Sequence, residues 1–266
     1  MKQFAETALK TQESEKPLFF RFLPDVLAFG LGLGLAYFLE WETTDLVWSL
    51  WLCSLVLGYL TLLSAIGGGA YIGLQVIRHE DFKKEQLIPA VLIGLVTSLF
   101  FLGFFPLHFC WFHVGHSVFL RQFFPVEGIS DQGFGEAFMN PPLLWFQVFK
   151  YLMIPYGIFL IPAIIAERKH VFSLLIKAVK TVTAGESPVN LAGALSNNKK
   201  NKGKNPLGDA MGRPYINVVR MHCLIFFFAF CHALKLDSFI VYAVVYSVYF
   251  FPWGEMKKLR DRRRVG

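Results

Sequence analysis

The chain has 266 residues, of which 55% are hydrophobic and 17% charged, and its formal net charge is +7. A soluble domain carries about 25% charged residues, so water is excluded as the main solvent. Most of the Lys and Arg fall in connectors and in the C-terminal tail, which fits membrane topology and argues against a nucleic-acid surface.

A bilayer core about 30 Å thick takes roughly 20 apolar residues per helical crossing, and such stretches recur along this chain. They predict an all-α, polytopic transmembrane helix bundle of about six spans with both termini cytoplasmic. Residues 1–21 mix both charges and lack the apolar centre of a cleavable signal, so they read as a cytoplasmic N-terminal segment. The first span runs from about Phe22 to Leu39, where Gly30, Gly32 and Gly34 would let a neighbouring helix come close. After the acidic turn of Glu40, Glu42 and Asp45, the apolar stretch from Leu46 to Ile77 is too long for one straight crossing. Its Gly67-Gly68-Gly69 triplet predicts a break or kink.

The charged turn Arg78 to Glu85 leads into a longer apolar run, Leu87 to Phe124, with Pro106 near its middle. Charge decides whether this is one helix or two. As a single helix it leaves 22 of the 26 Lys and Arg in segments on the cytoplasmic side. Split in two, it would turn the nine-charge connector outward, against the positive-inside rule. One long helix is therefore expected.

The segment Pro125 to Pro142 reads as an external loop carrying Glu127, Asp131 and Glu136, and the fourth span runs from Leu143 to about Ala166 with kinks at Pro155 and Pro162. Residues 22–166 thus hold the first four spans. Residues 167–213 then combine an amphipathic helix in the cytoplasmic interface, His170 to Thr183, with a lysine-rich linker, Glu186 to Gly212, too polar to pack. Residues 214–253 hold the fifth span, Pro214 to Leu234, and the sixth, Phe239 to Trp253. The basic tail, residues 254–266, favours an anionic cytoplasmic leaflet, which makes the lipid bilayer the first expected partner. Lys150 and Arg220 each lie about two turns from an interface and are expected to snorkel. All four cysteines lie in apolar stretches and read as free thiols.

The chemistry-bearing stretch is FFPLHFCWFHVGHSVFL, residues 104–120, with His108, His113 and His116. At 100° per residue His116 falls about 80° and His113 about 140° from His108, so all three share one broad face. Histidine is both a metal ligand and a proton carrier near neutral pH, and ionisable groups at membrane depth point to function. His113 and His116 could share an ion, with further ligands from His222 or His232 on the fifth span. His108, His113, His116 and His222 are the candidate metal ligands, and the cofactor would be a metal ion or haem. The spacing fits the paired ligands of a two-haem cytochrome b poorly. Hydrogen bonding between helices and a proton relay are the competing readings of the same residues. No P-loop, GxSxG, HExxH or dinucleotide fingerprint is present.

Around HFCWFHVGHSVFLRQFF the chain resembles an uncharacterised family of bacterial integral membrane proteins, grouped as a domain of unknown function. The segments Asp45 to Tyr59 and Arg213 to Phe227 fit the general pattern of that family. The resemblance implies a bacterial inner-membrane location and a motif on His108, His113 and His116, and it implies no activity. The expectation is a membrane scaffold or cofactor-binding bundle, with a membrane protein as a second partner beside the bilayer. A metal- or haem-dependent membrane enzyme and a small proton-coupled transporter are the alternatives.

Overall fold

The computed structural model describes residues 18–78, 85, 87–183, 206–236 and 238–251. Among them all regular structure is helical. The helices are α1 (Leu18–Phe38), α2 (Thr43–Ile77), α3 (Leu87–Phe123), α4 (Pro141–Tyr151), α5 (Met153–Tyr156), α6 (Leu160–Val171), α7 (Ser173–Thr183), α8 (Pro206–Ala233) and α9 (Phe239–Phe250). Short 3-10 turns, Gly135–Ala137 and Gly157–Phe159, fall before α4 and between α5 and α6. The candidate linker from residue 186 and the tail from residue 254 lie outside the described residues, except that α8 already begins at Pro206.

Two helices are long and apolar enough to cross a membrane, α2 and α3, or three if the broken pair α4 and α5–α6, bent by 64°, is one span. At 1.5 Å per residue the 35 residues of α2 and the 37 of α3 reach about 52 and 55 Å, well beyond a bilayer core of about 30 Å. They meet different surroundings. Of the most apolar stretch of α2, 78% is buried, because α3, α6, α7 and α8 all pack on it. The corresponding stretch of α3 is wholly uncovered, with Ile88, Leu92, Val96 and Phe100 all more than half exposed.

The expected break at Gly67-Gly68-Gly69 does not occur, and α2 continues unbroken to Ile77. The reason is packing. A Cβ on Gly68 would lie 3.0 Å from the Leu175 backbone nitrogen and 3.1 Å from the Leu174 carbonyl carbon, so this glycine admits the backbone of α7. Leu174 and Ala178 are consequently buried against α2, whereas Ile176 and Val179 remain exposed. The expectation for α3 holds, since it is a single helix through Pro106. The proline removes one backbone donor, a loss that membrane helices tolerate.

The fourth span departs most from expectation. Instead of one kinked helix, residues 125–151 form a hairpin. From Phe124 the chain runs back along α3, where the Phe134 backbone N–H donates to Ser117 Oγ at 3.0 Å and the Cys110 thiol to the Ala137 carbonyl at 3.6 Å. Asn140 then caps α4 by accepting from the Leu143 backbone N–H at 3.2 Å. The helix returns the chain to where it left, because Tyr151 lies beside Gly128, whose Cβ would meet that ring at 2.9 Å. Gly133 fits at φ +57, a left-handed conformation in which any Cβ would sit 2.6 Å from the Ser117 carbonyl oxygen.

Beyond the hairpin, α6 runs antiparallel to α1. Phe159 lies against Gly32 at one end of this pair, and Arg168 and Lys169 bind Asp25 at the other. Asp45 ties the start of α2 to the same region, accepting from the Glu42 backbone N–H at 2.9 Å and from the Tyr156 hydroxyl at 3.1 Å. Helix α9 then closes the bundle, with Tyr37 against Phe239 and Phe29 stacked on Tyr246. Of the four cysteines, all free, Cys53, Cys110 and Cys231 are buried and Cys223 is exposed. The Arg220 side chain lies outside the described set.

Candidate functional site

The site lies where α2, α3 and α8 meet, and its frame is aromatic. Trp48 and Trp51 on α2 are fully buried. Their indole N–H groups donate to the carbonyls of Phe124 at 2.8 Å and His113 at 3.1 Å, fastening α2 to α3 along its second half. Phe134 from the hairpin packs on both indoles, at 6.0 and 5.4 Å between centroids. The hairpin therefore seals one side of the histidine helix.

His113 is fully buried and satisfied. Its Nδ1 lies 3.0 Å from the Phe109 carbonyl one turn back, and its Nε2 lies 3.3 Å from Ser54 Oγ on α2. A carbonyl only accepts, so Nδ1 carries the proton, and Ser54 donates to the Nε2 lone pair. Three-residue spacing then places His116 on the next turn and the same inward face, 5% exposed, with ring centroids 6.1 Å apart. Facing it from α8, His222 brings Nδ1 to 2.9 Å and Nε2 to 3.4 Å from His116 Nε2.

The tautomers follow from the carbonyls. His222 Nδ1 lies 3.1 Å from the Val218 carbonyl and so holds the proton, which leaves its Nε2 as a lone pair. A second N–H on His116 Nε2 would oppose that donor, so this atom is a lone pair too. The proton of neutral His116 then resides on Nδ1, which is buried with no hydrogen-bond partner. An unsatisfied buried donor costs about 1–3 kcal/mol.

Of the four candidate ligands, the structure thus gathers His113, His116 and His222. His108 stands apart. It is only partly buried, in an aromatic group with Phe104, Trp111, Phe112 and Tyr215, so the single face expected for all three α3 histidines is not shared by it. At 100° per residue the buried positions of α3 run from about 60° to about 240° measured from His108, so His108 itself lies beyond the edge of the buried strip. His232 is also elsewhere, with Phe124, Thr43, Lys235 and Leu236 around an open pocket of about 220 Å³ at the end of α8. Among the described residues no three His, Cys, Asp or Glu side chains gather closely enough to hold a metal.

The matched residues run from α1 to α9 and include the entire site: the model of a family of unknown function covers residues 26–248. The chain belongs to this family, DUF6498. No curated protein and no solved structure matches it. Within this DUF6498 member, three site groups escaped the reading of the sequence: Ser54, Trp51 and the Val218 carbonyl. A serine or tryptophan in an apolar run carries no signal of the helix it will face, and a backbone carbonyl carries none at all.

Proposed function

We propose that this chain is a multi-pass membrane protein of the bacterial inner membrane that binds a cofactor between α3 and α8. The observation that carries this reading is the His116–His222 pair, a buried imidazole on α3 joined to an exposed one on α8 in a bundle whose outer surface is apolar. Such groups at membrane depth demand a partner, and here each supplies the other's. A haem between the two rings does not fit. Their centroids are 4.2 Å apart in an edge-to-face arrangement, which leaves no room for a macrocycle with one imidazole on each side.

In this reading α1, α2, α3, α6, α8 and α9 make six alternating crossings, which returns the C-terminus to the side of the N-terminus. The hairpin of residues 125–151 enters and leaves on the opposite side. Its irregular backbone is compatible with that depth because it is buried against α3. Positive charge supports cytoplasmic ends, and the uncovered half of α3 faces lipid acyl chains or a membrane partner.

Reporter fusions test the topology. Fusions after Lys84, Lys204 and Gly266 are expected to be active with a cytoplasmic reporter, and one after Asp131, whose side chain is 95% exposed, with an external reporter. Cytoplasmic activity at Asp131 would overturn the six-crossing arrangement. Metal analysis and the visible spectrum of protein purified from its own membranes test for the cofactor. The His116→Gln/His222→Gln double variant should lose whatever the unaltered protein carries, and retention would remove the pair from the reading.

A further inference from the structure

The start of α2 and the ends of α3 and α8 meet at the pocket of about 220 Å³ lined by Thr43, Phe124, His232, Lys235 and Leu236. Its polar groups reach it from the end of α8. The His232 imidazole stands edge-on to Phe123 at 6.0 Å and to Phe124 at 5.7 Å between centroids, and it makes no hydrogen bond among the described residues. Ring contacts thus place it and leave both nitrogens available. Lys235 arrives from a costly backbone, with φ +54. Its N–H donates to the His232 carbonyl at 3.0 Å, and the Leu236 N–H donates to the Cys231 carbonyl at 2.9 Å. These two bonds end α8 in the manner of a helix that stops on glycine, the residue that takes a left-handed conformation without strain. Here the position carries an ammonium group instead, and that side chain lines the pocket.

The other charges nearby are occupied. Arg121 pairs with Asp131 at 3.4 Å and donates to the Ile129 carbonyl at 2.9 Å, and Lys150 lies 4.7 Å from the centre of the Tyr151 ring. Glu42 and Asp45 complete a capping box at the start of α2, and Asp45 also accepts from the Tyr156 hydroxyl. Lys235 has no ion pair among the described residues, and it and His232 are exposed, so a ligand can reach both.

We propose that this pocket binds a phosphate group, with Lys235 Nζ and a His232 ring N–H as donors and with Phe124 and Leu236 against the ligand's apolar part. Hydrogen bonds from an ammonium to phosphate are charge-assisted and among the stronger ones. The volume falls below the roughly 300–1,000 Å³ of sites that enclose a drug-sized ligand, so the pocket takes a headgroup and leaves the rest of the molecule outside. Helix ends lie at headgroup depth in the six-crossing arrangement, within reach of both a phospholipid and a free phosphate. The pocket shares no residue with the His116–His222 pair, so its ligand and the cofactor proposed above are separate.

The test uses the full-length protein, delipidated in a neutral detergent. Native mass spectrometry is expected to show one saturable molecule of dioctanoyl phosphatidylglycerol, and no such binding of dioctanoylglycerol, which lacks the phosphate. Displacement by millimolar inorganic phosphate would identify free phosphates as ligands, and its failure would identify the lipid headgroup. Lys235→Gly and His232→Gln should each weaken binding roughly 10-fold, whereas Lys235→Arg and Lys150→Gln keep it within about threefold. Lys235→Gly should also melt no lower than the unaltered protein, because glycine relieves the left-handed backbone, so its weaker binding cannot be put down to unfolding. The His116→Gln/His222→Gln variant should bind the lipid unchanged, which lets this site and the cofactor reading fail separately. Absence of saturable, phosphate-dependent binding, or binding indifferent to both Lys235→Gly and His232→Gln, would overturn the proposal.

Discussion

Asp25→Ala should destabilise the protein by about 3 kcal/mol and sharply reduce the folded chain recovered from membranes. Asp25 is 7% exposed, and its two carboxylate oxygens bind Arg168 at 2.5 Å and Lys169 at 2.7 Å. Arg168 also donates to the Ile165 carbonyl, so its guanidinium is held in place and cannot follow water when the carboxylate is removed. Truncation leaves two cations facing each other at the junction of α1 and α6. The lower end of the usual 3–5 kcal/mol is expected because the Lys169 side chain keeps 45% of its exposure and can turn toward solvent or lipid phosphate. Thermal melting in detergent, followed by helix content or by aggregation, measures the loss. Asp25→Asn should recover only part of it, since an amide still accepts hydrogen bonds but carries no charge. A melting curve for Asp25→Ala that overlays the unaltered protein would mean that the three groups are independent in solution.

Gly133→Ala should displace the hairpin. The methyl group meets two penalties. A left-handed backbone costs a residue with a Cβ about 1–2 kcal/mol, and here that Cβ would lie 2.6 Å from the Ser117 carbonyl oxygen and 2.8 Å from the Val118 nitrogen. Both obstructing atoms belong to the backbone of α3, which cannot turn aside as a side chain would. Phe134 would leave Trp48 and Trp51, and the bond from its N–H to Ser117 Oγ would break. We expect a loss of several kcal/mol and a marked gain in accessibility for Cys110, whose thiol the hairpin covers through Ala137. Alkylation of Cys110 by a membrane-impermeant maleimide from the side of Asp131 provides the readout, with Cys53, Cys223 and Cys231 replaced by Ala. Gly135→Ala is the control, because the nearest atom to its Cβ is 3.6 Å away and its effect should be small. Equal protection of Cys110 in both variants would show that the hairpin does not depend on Gly133.

Sequence alone determined that the protein is all-helical and apolar enough for a bilayer, that α3 is one helix, and that His113, His116 and His222 are the residues to examine. These features are local or cumulative. Hydropathy over 20 residues, the distribution of Lys and Arg, and three-residue spacing on a helix do not depend on which helix packs where. The tertiary structure decided the rest. The glycine triplet is as compatible with a break as with a close contact, and only the backbone of α7 lying on Gly68 selects the contact. The stretch from Pro125 to Tyr151 has the composition of a loop followed by a span, and its reversal along α3 comes from Ser117, Cys110 and the two tryptophans, all distant in sequence. His108 shares a helix with His113 and His116 yet lies outside the site, because burial of a helix face depends on the neighbours it meets. The pairing of His116 with His222 spans 106 residues, a distance that no pattern along the chain encodes. Only the meeting of α3 and α8 turns two separate histidines into a contacting pair.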